Sequence, residues 1–89
     1  SDDAIKILYR NYKGIVAVRH IIPRELRFES EPPWHPELQH LLIAYDLDKR
    51  SRRTFAMKYI LAWGEEEIKK YQHNQQIIVA LREIVQRGE

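Results

Sequence analysis

The sequence predicts a mainly β domain, a small antiparallel barrel of five to six strands followed by one C-terminal amphipathic α-helix. Three observations predict it. Short alternating or β-rich runs recur between Ala4 and Trp63, each bounded by turn residues. Two junctions, the Asn11 to Gly14 turn and the basic tip Lys49 to Arg53, read as hairpin ends. Beyond Gly64 the apolar period lengthens from strand-like to helical.

The first run, Ala4 to Arg10 (AIKILYR), is rich in strand formers. Asn11-Tyr12-Lys13-Gly14 follows, and Asn and Gly tolerate the left-handed backbone of a tight turn. Ile15 to Ile22 (IVAVRHII) returns as the second arm of an antiparallel hairpin. Pro23 lacks an N–H, so it ends that strand or forces an edge position. Glu25 to Glu29 (ELRFE) alternates, which predicts Leu26 and Phe28 on the core side.

Ser30 to Pro36 (SEPPWHP) holds three of the four prolines. It reads as an ordered loop, because proline excludes helix and central strand and Trp34 is costly to leave in water. Gln39 to Tyr59 is the densest stretch. An alternating strand (HLLIAYD) enters a tip with cations at Lys49, Arg50, Arg52 and Arg53, and RTFAM returns. Tyr59 to Trp63 is a short last strand. Gly64 breaks the pattern, and Glu65-Glu66-Glu67 places negative charge at a helix start. Ile68, Tyr71, Gln75, Ile78, Leu81 and Val85 recur at helical spacing, with Ile77 and Ile84 widening the stripe and Gly88 placed to stop it. Strands this short close into a barrel, which removes exposed edges. The predicted units are residues 1–63, the β part, and 64–89, a helix that packs on it or on a partner.

Eighty-nine residues make one domain with a small core. The net charge of +2 excludes non-specific coating of nucleic acid. Charge is uneven, with eleven Lys and Arg against eight Asp and Glu in residues 1–63. Absent cysteines exclude disulfides and thiolate metal sites and fit a cytoplasmic protein. No apolar run reaches the roughly 20 residues that cross a bilayer, and no signal peptide is visible, so no membrane role is expected. The opening SDDA runs almost directly into a strand, as in a fragment of a longer chain.

Four segments carry a family resemblance: Tyr-Arg-Asn-Tyr-Lys-Gly (9–14), Val-Arg-His-Ile-Ile-Pro (18–23), Leu-Leu-Ile-Ala-Tyr-Asp (41–46) and Arg-Thr-Phe-Ala-Met-Lys-Tyr-Ile (53–60). Their order over residues 5–63 looks like the WYL domain. The resemblance implies a small Sm/SH3-like barrel and a ligand-sensing role in bacterial or phage-defence regulation. It implies nucleotides or nucleic acid fragments as ligands, held by basic and aromatic residues. Matching residues are Arg53, Arg19, Tyr9 and Tyr45. The family's name-giving Trp-Tyr-Leu positions are His40, Leu41 and Leu42 here, so only the Leu is kept. No helix-turn-helix accompanies the domain, and Trp34-His35-Pro36 makes it look closer to short stand-alone relatives.

Residue chemistry points the same way. Arginine forks match phosphate oxygens. Lys49, Arg50 and Arg52 would steer an anion, although a solvated hairpin tip explains Lys49 and Arg50 as well. Arg53 stands two positions before Phe55, on the same strand face, so it is the stronger ligand residue. Tyr9, Tyr45 and Trp34 would frame a base or sugar, and Trp34 and Tyr12 are the rings expected to be exposed, while Phe28 and Phe55 read as core. His20, His35, His40 and His73 match no zinc spacing, and no cofactor is implied. No nucleophile motif, P-loop or dinucleotide fingerprint occurs, so the expected function is non-enzymatic: binding a nucleotide or single-stranded nucleic acid. The alternative is an interaction module, a homodimer or partner complex, working through the helix and the Trp34 loop.

Overall fold

Strands β1 (Ile5–Arg10), β2 (Val16–Glu31), β3 (His35–Asp46), β4 (Ser51–Ala56) and β5 (Ile60–Trp63) precede one helix, α1 (Gly64–Gln86). A single 3₁₀ turn, Met57–Tyr59, joins β4 to β5. The computed structural model describes residues 3–88, so Ser1, Asp2 and Glu89 of the two predicted units lie outside the described residues. The strands form one antiparallel sheet in the order β4-β3-β2-β1-β5.

The first hairpin forms as its turn residues dictate. The Asn11 carboxamide Oδ1 accepts the N–H groups of Lys13 (2.9 Å) and Ile15 (3.0 Å). Gly14 takes φ +79°, a value that L side chains rarely adopt.

The predicted strands 15–22 and 25–29 are one continuous strand, β2. Pro23 sits within it, beyond Ile21, where the ladder with β1 ends and only β3 remains as a neighbour. Its missing N–H costs nothing on that open side. The predicted loop 30–36 is mostly strand too. Ser30 and Glu31 finish β2, and His35 and Pro36 start β3.

Leu26 and Phe28 do not face a core. They are 55% and 58% exposed. Alternation is kept, and Leu26 pairs with Leu42 and through it with Phe55 of β4, but the ladder with β1 ends at Ile21 and leaves these residues on the open edge of the sheet. The Phe28 ring lies against the His40 ring, at 4.9 Å.

β2 doubles back on itself. Sixteen residues drawn straight would span about 50 Å. Yet Tyr12 in the turn before β2 and Trp34 in the turn after it have ring centroids 4.8 Å apart. Register shifts between Pro23 and Glu25, and between Glu29 and Glu31, mark the bends. The same curl brings β4 to β1, its third neighbour along the sheet. The Ala56 N–H donates to the Tyr9 hydroxyl at 3.0 Å, and the Phe55 and Tyr9 rings meet edge-on at 4.9 Å.

The concave face holds the main core: Ile7, Tyr9, Ile21, Leu42, Ala44 and Phe55, with Ile5, Met57, Ile60 and Trp63 against it. On the other face Leu8 and Ala62 receive Ile68 from α1. The helix starts at Gly64 (φ +80°), carries Glu65, Glu66 and Glu67 in its first turn, and is tied by a Lys6–Glu65 pair at 3.0 Å. Only Ile68 of the helix is buried. From Gln72 onward its side chains are exposed, Ile78 only partly. Among the described residues, no helix is long and apolar enough to cross a membrane.

Candidate anion-binding site

Three segments far apart in sequence meet on the concave side. The β1–β2 turn brings Asn11 and Tyr12. The tip of the β2–β3 arm brings Glu31, Trp34 and His35. The outer strand β4 brings Arg52, Arg53 and Thr54. With Tyr9, Arg19 and Phe55 they line an open cavity of about 500 Å³.

The cationic part is built from two strands. Arg53 and Phe55 alternate onto the concave face, as their spacing requires. Arg52 and Arg53 are exposed and make no ion pair among the described residues. Arg19 is mostly buried, with 18% of its side chain exposed, and stands 3.7 Å from the Asp46 Oδ2. That contact is loose. Both the Arg19 Nε and the Asp46 Oδ2 are buried without a hydrogen bond. The other Asp46 oxygen, Oδ1, accepts the N–H groups of Asp48 and Lys49, both at 3.0 Å, which pins the β3–β4 turn. One buried carboxylate therefore anchors the basic tip and stands behind Arg19.

The ring-bearing part is the Tyr12–Trp34 pair, tilted by 46°, with Trp34 55% exposed. The Lys13 ammonium lies 5.7 Å from the Tyr12 ring centre. Tyr9 forms the floor. Burial pushes its hydroxyl above the ordinary tyrosine value, against the Ala56 hydrogen bond and the nearby Arg19 charge, which pull it down.

Between these parts sits a polar group set. The Thr54 hydroxyl donates to the Glu31 Oε2 at 3.1 Å, and the His35 Nε2 lies 3.2 Å from the Thr54 carbonyl oxygen. Glu31 makes no ion pair among the described residues.

Of the residues expected to bind ligand, Tyr9, Arg19, Trp34 and Arg53 converge here, and so does the steering residue Arg52. Tyr45 does not line this cavity. It pairs with Arg52 across β3 and β4, and both line a smaller concavity with Arg24, Glu25 and Arg27, so Arg52 borders both concavities. Lys49 and Arg50 lie on the tip, outside the cavity lining; Arg50 has φ 53°. His35 and His40 do not meet as a pair. His35 lies at the Thr54 carbonyl and His40 against the Phe28 ring. Among the described residues no three His, Asp or Glu side chains cluster to hold a metal.

The sequence reading did not single out Asn11, Glu31 or Thr54 for the site. Each is an ordinary turn or strand residue locally, and only the curl of β2 brings them together. No family model matches the chain, and neither a curated protein nor a solved structure matches it.

Proposed function

We propose that this domain is a non-enzymatic ligand-sensing module that binds a nucleotide or single-stranded nucleic acid in the concave cavity. One observation carries the reading: three arginines and an exposed ring pair converge on a single cavity, and Arg52 and Arg53 have no ion-pair partner among the described residues. Unpaired guanidinium groups beside exposed rings suit a ligand with phosphate at one end and a flat ring at the other. The curled five-stranded sheet and the segments at 9–14, 18–23, 41–46 and 53–60 support reading the β part as an Sm/SH3-like barrel of the WYL kind. Such a module belongs in the cytoplasm, where nucleotides are available.

The test is titration of a labelled short single-stranded oligonucleotide at several salt concentrations. Affinity falls linearly with log salt. Arg53→Ala weakens binding by about tenfold and lowers the salt slope by about 1. Adding Arg19→Ala weakens it further. No binding at low salt overturns the reading.

A second reading rests on α1. Its last turns expose Ile77, Val79, Leu81, Ile84 and Val85, which suits a homodimer or partner-protein surface. That reading is tested by the oligomeric state.

A further inference from the structure

Glu31 is out of place in a site that only holds phosphate. A carboxylate repels phosphate, and this one forms no ion pair with a described cation, although it shares the cavity with three arginines. Its one hydrogen bond among the described residues comes from a neutral hydroxyl, Thr54, which fixes Oε2 and leaves Oε1 to accept from elsewhere. It lines the same cavity as the ring pair. The ligand region that reaches it must therefore donate hydrogen bonds.

Among the four common bases this requirement is selective. Guanine places two adjacent donors, N1–H and the N2 amine, on its pairing edge. Adenine and cytosine each offer one amine beside a ring-nitrogen acceptor, which a carboxylate repels. Uracil offers one N–H between two carbonyl acceptors. A carboxylate thus gains most from guanine. Asn11 complements this. Its Oδ1 is used by the turn, and its Nδ2 has no partner among the described residues, so this lining residue has a free donor to offer the guanine O6.

We infer that the cavity prefers guanine, with Glu31 as the residue that reads the base edge, the Tyr12–Trp34 pair holding the ring and Arg19, Arg52 and Arg53 holding the phosphate. This rests on the nucleotide-binding reading above. The shared chemistry is a guanine nucleotide, free or within a strand.

The experiment titrates GMP, AMP, CMP and UMP, and separately oligothymidylates carrying one central G or one central A. GMP, or the G-bearing strand, is expected to bind about tenfold tighter than its adenine counterpart. Preference in mononucleotides assigns the free form, and preference in strands alone assigns the strand. Glu31→Gln keeps an oxygen for the Thr54 hydroxyl, so the fold is retained. It is expected to bring guanine affinity down to the adenine level while leaving adenine affinity unchanged. A purely structural role would lower both together. Thr54→Val, which frees Glu31 to swing, shrinks the guanine preference without abolishing binding. Equal affinity for all four bases overturns the inference and leaves anion binding standing. So does a guanine preference that survives in Glu31→Gln. No binding of any probe overturns both.

Discussion

Asp46 is fully buried, and its two oxygens serve different neighbours. Oδ1 accepts two turn N–H groups, while Oδ2 faces Arg19 across 3.7 Å. Substitutions separate these roles. Asp46→Asn keeps an oxygen for the turn but turns an amide donor toward a guanidinium. Asp46→Ala removes the acceptor of two turn N–H groups, at about 0.5–1.5 kcal/mol for each. Thermal or denaturant unfolding is therefore expected to rank wild type above Asn and Asn above Ala. Oligonucleotide affinity should fall about tenfold in the Asn variant, because Arg19 loses the group that faces it. Arg53→Ala provides the contrast, since an exposed side chain without an ion-pair partner should leave stability within about 0.5 kcal/mol. Equal ligand affinity in Asp46→Asn and wild type would sink the claim that Asp46 orients Arg19. The residue scale is also where sequence was most informative. Arg53 declared itself by standing two positions from an apolar ring in a strand. Asp46 stands at a hairpin end, and nothing local distinguishes an acid in solvent from one sealed behind an arginine.

At the scale of elements, local chemistry governed starts and stops better than coverage. Asn11 and Gly14 made the first turn, Gly64 opened the helix, and Gly88 (φ +77°) closed it with its N–H on the Val85 carbonyl. Pro23 misled, because an edge position can occur inside a strand that outruns one of its neighbours. Leu26 and Phe28 misled for a related reason. Period 2 says which side chains share a face but not whether anything covers that face. The same distinction predicts how α1 responds to mutation. Ile68 is buried against Leu8 and Ala62, so Ile68→Ala should cost about 2–4 kcal/mol. Leu81 is 55% exposed three turns further on, and Leu81→Ala should stay within about 0.5 kcal/mol. Denaturant unfolding measures both. Similar losses at the two positions would mean that the distal helix is packed in solution.

The whole molecule is longer than its size requires. Its extents are 48 × 32 × 19 Å and its Cα radius of gyration is 15.8 Å, against about 12 Å for a compact 89-residue domain. One feature accounts for much of the excess: a 23-residue helix about 35 Å long that buries one residue. The site shares this large-scale origin. Asn11, Glu31 and Thr54 are 20 and 23 residues apart in the chain, and the doubling of β2 brings them together, which no local pattern encodes. Small-angle scattering coupled to size exclusion tests the shape directly. A dilute monomer should give a radius near 16 Å. A value near 12 Å would mean that α1 folds back over the sheet and covers Val79, Leu81 and Val85, which would remove the surface on which the second functional reading depends. A radius that grows with concentration, and returns to the monomer value in Leu81→Glu, would assign the distal helix to self-association. The cavity lies on the concave face and the proximal helix packs on the other. Leu81→Glu should therefore leave oligonucleotide affinity unchanged even where it alters assembly, so the two readings separate in one variant.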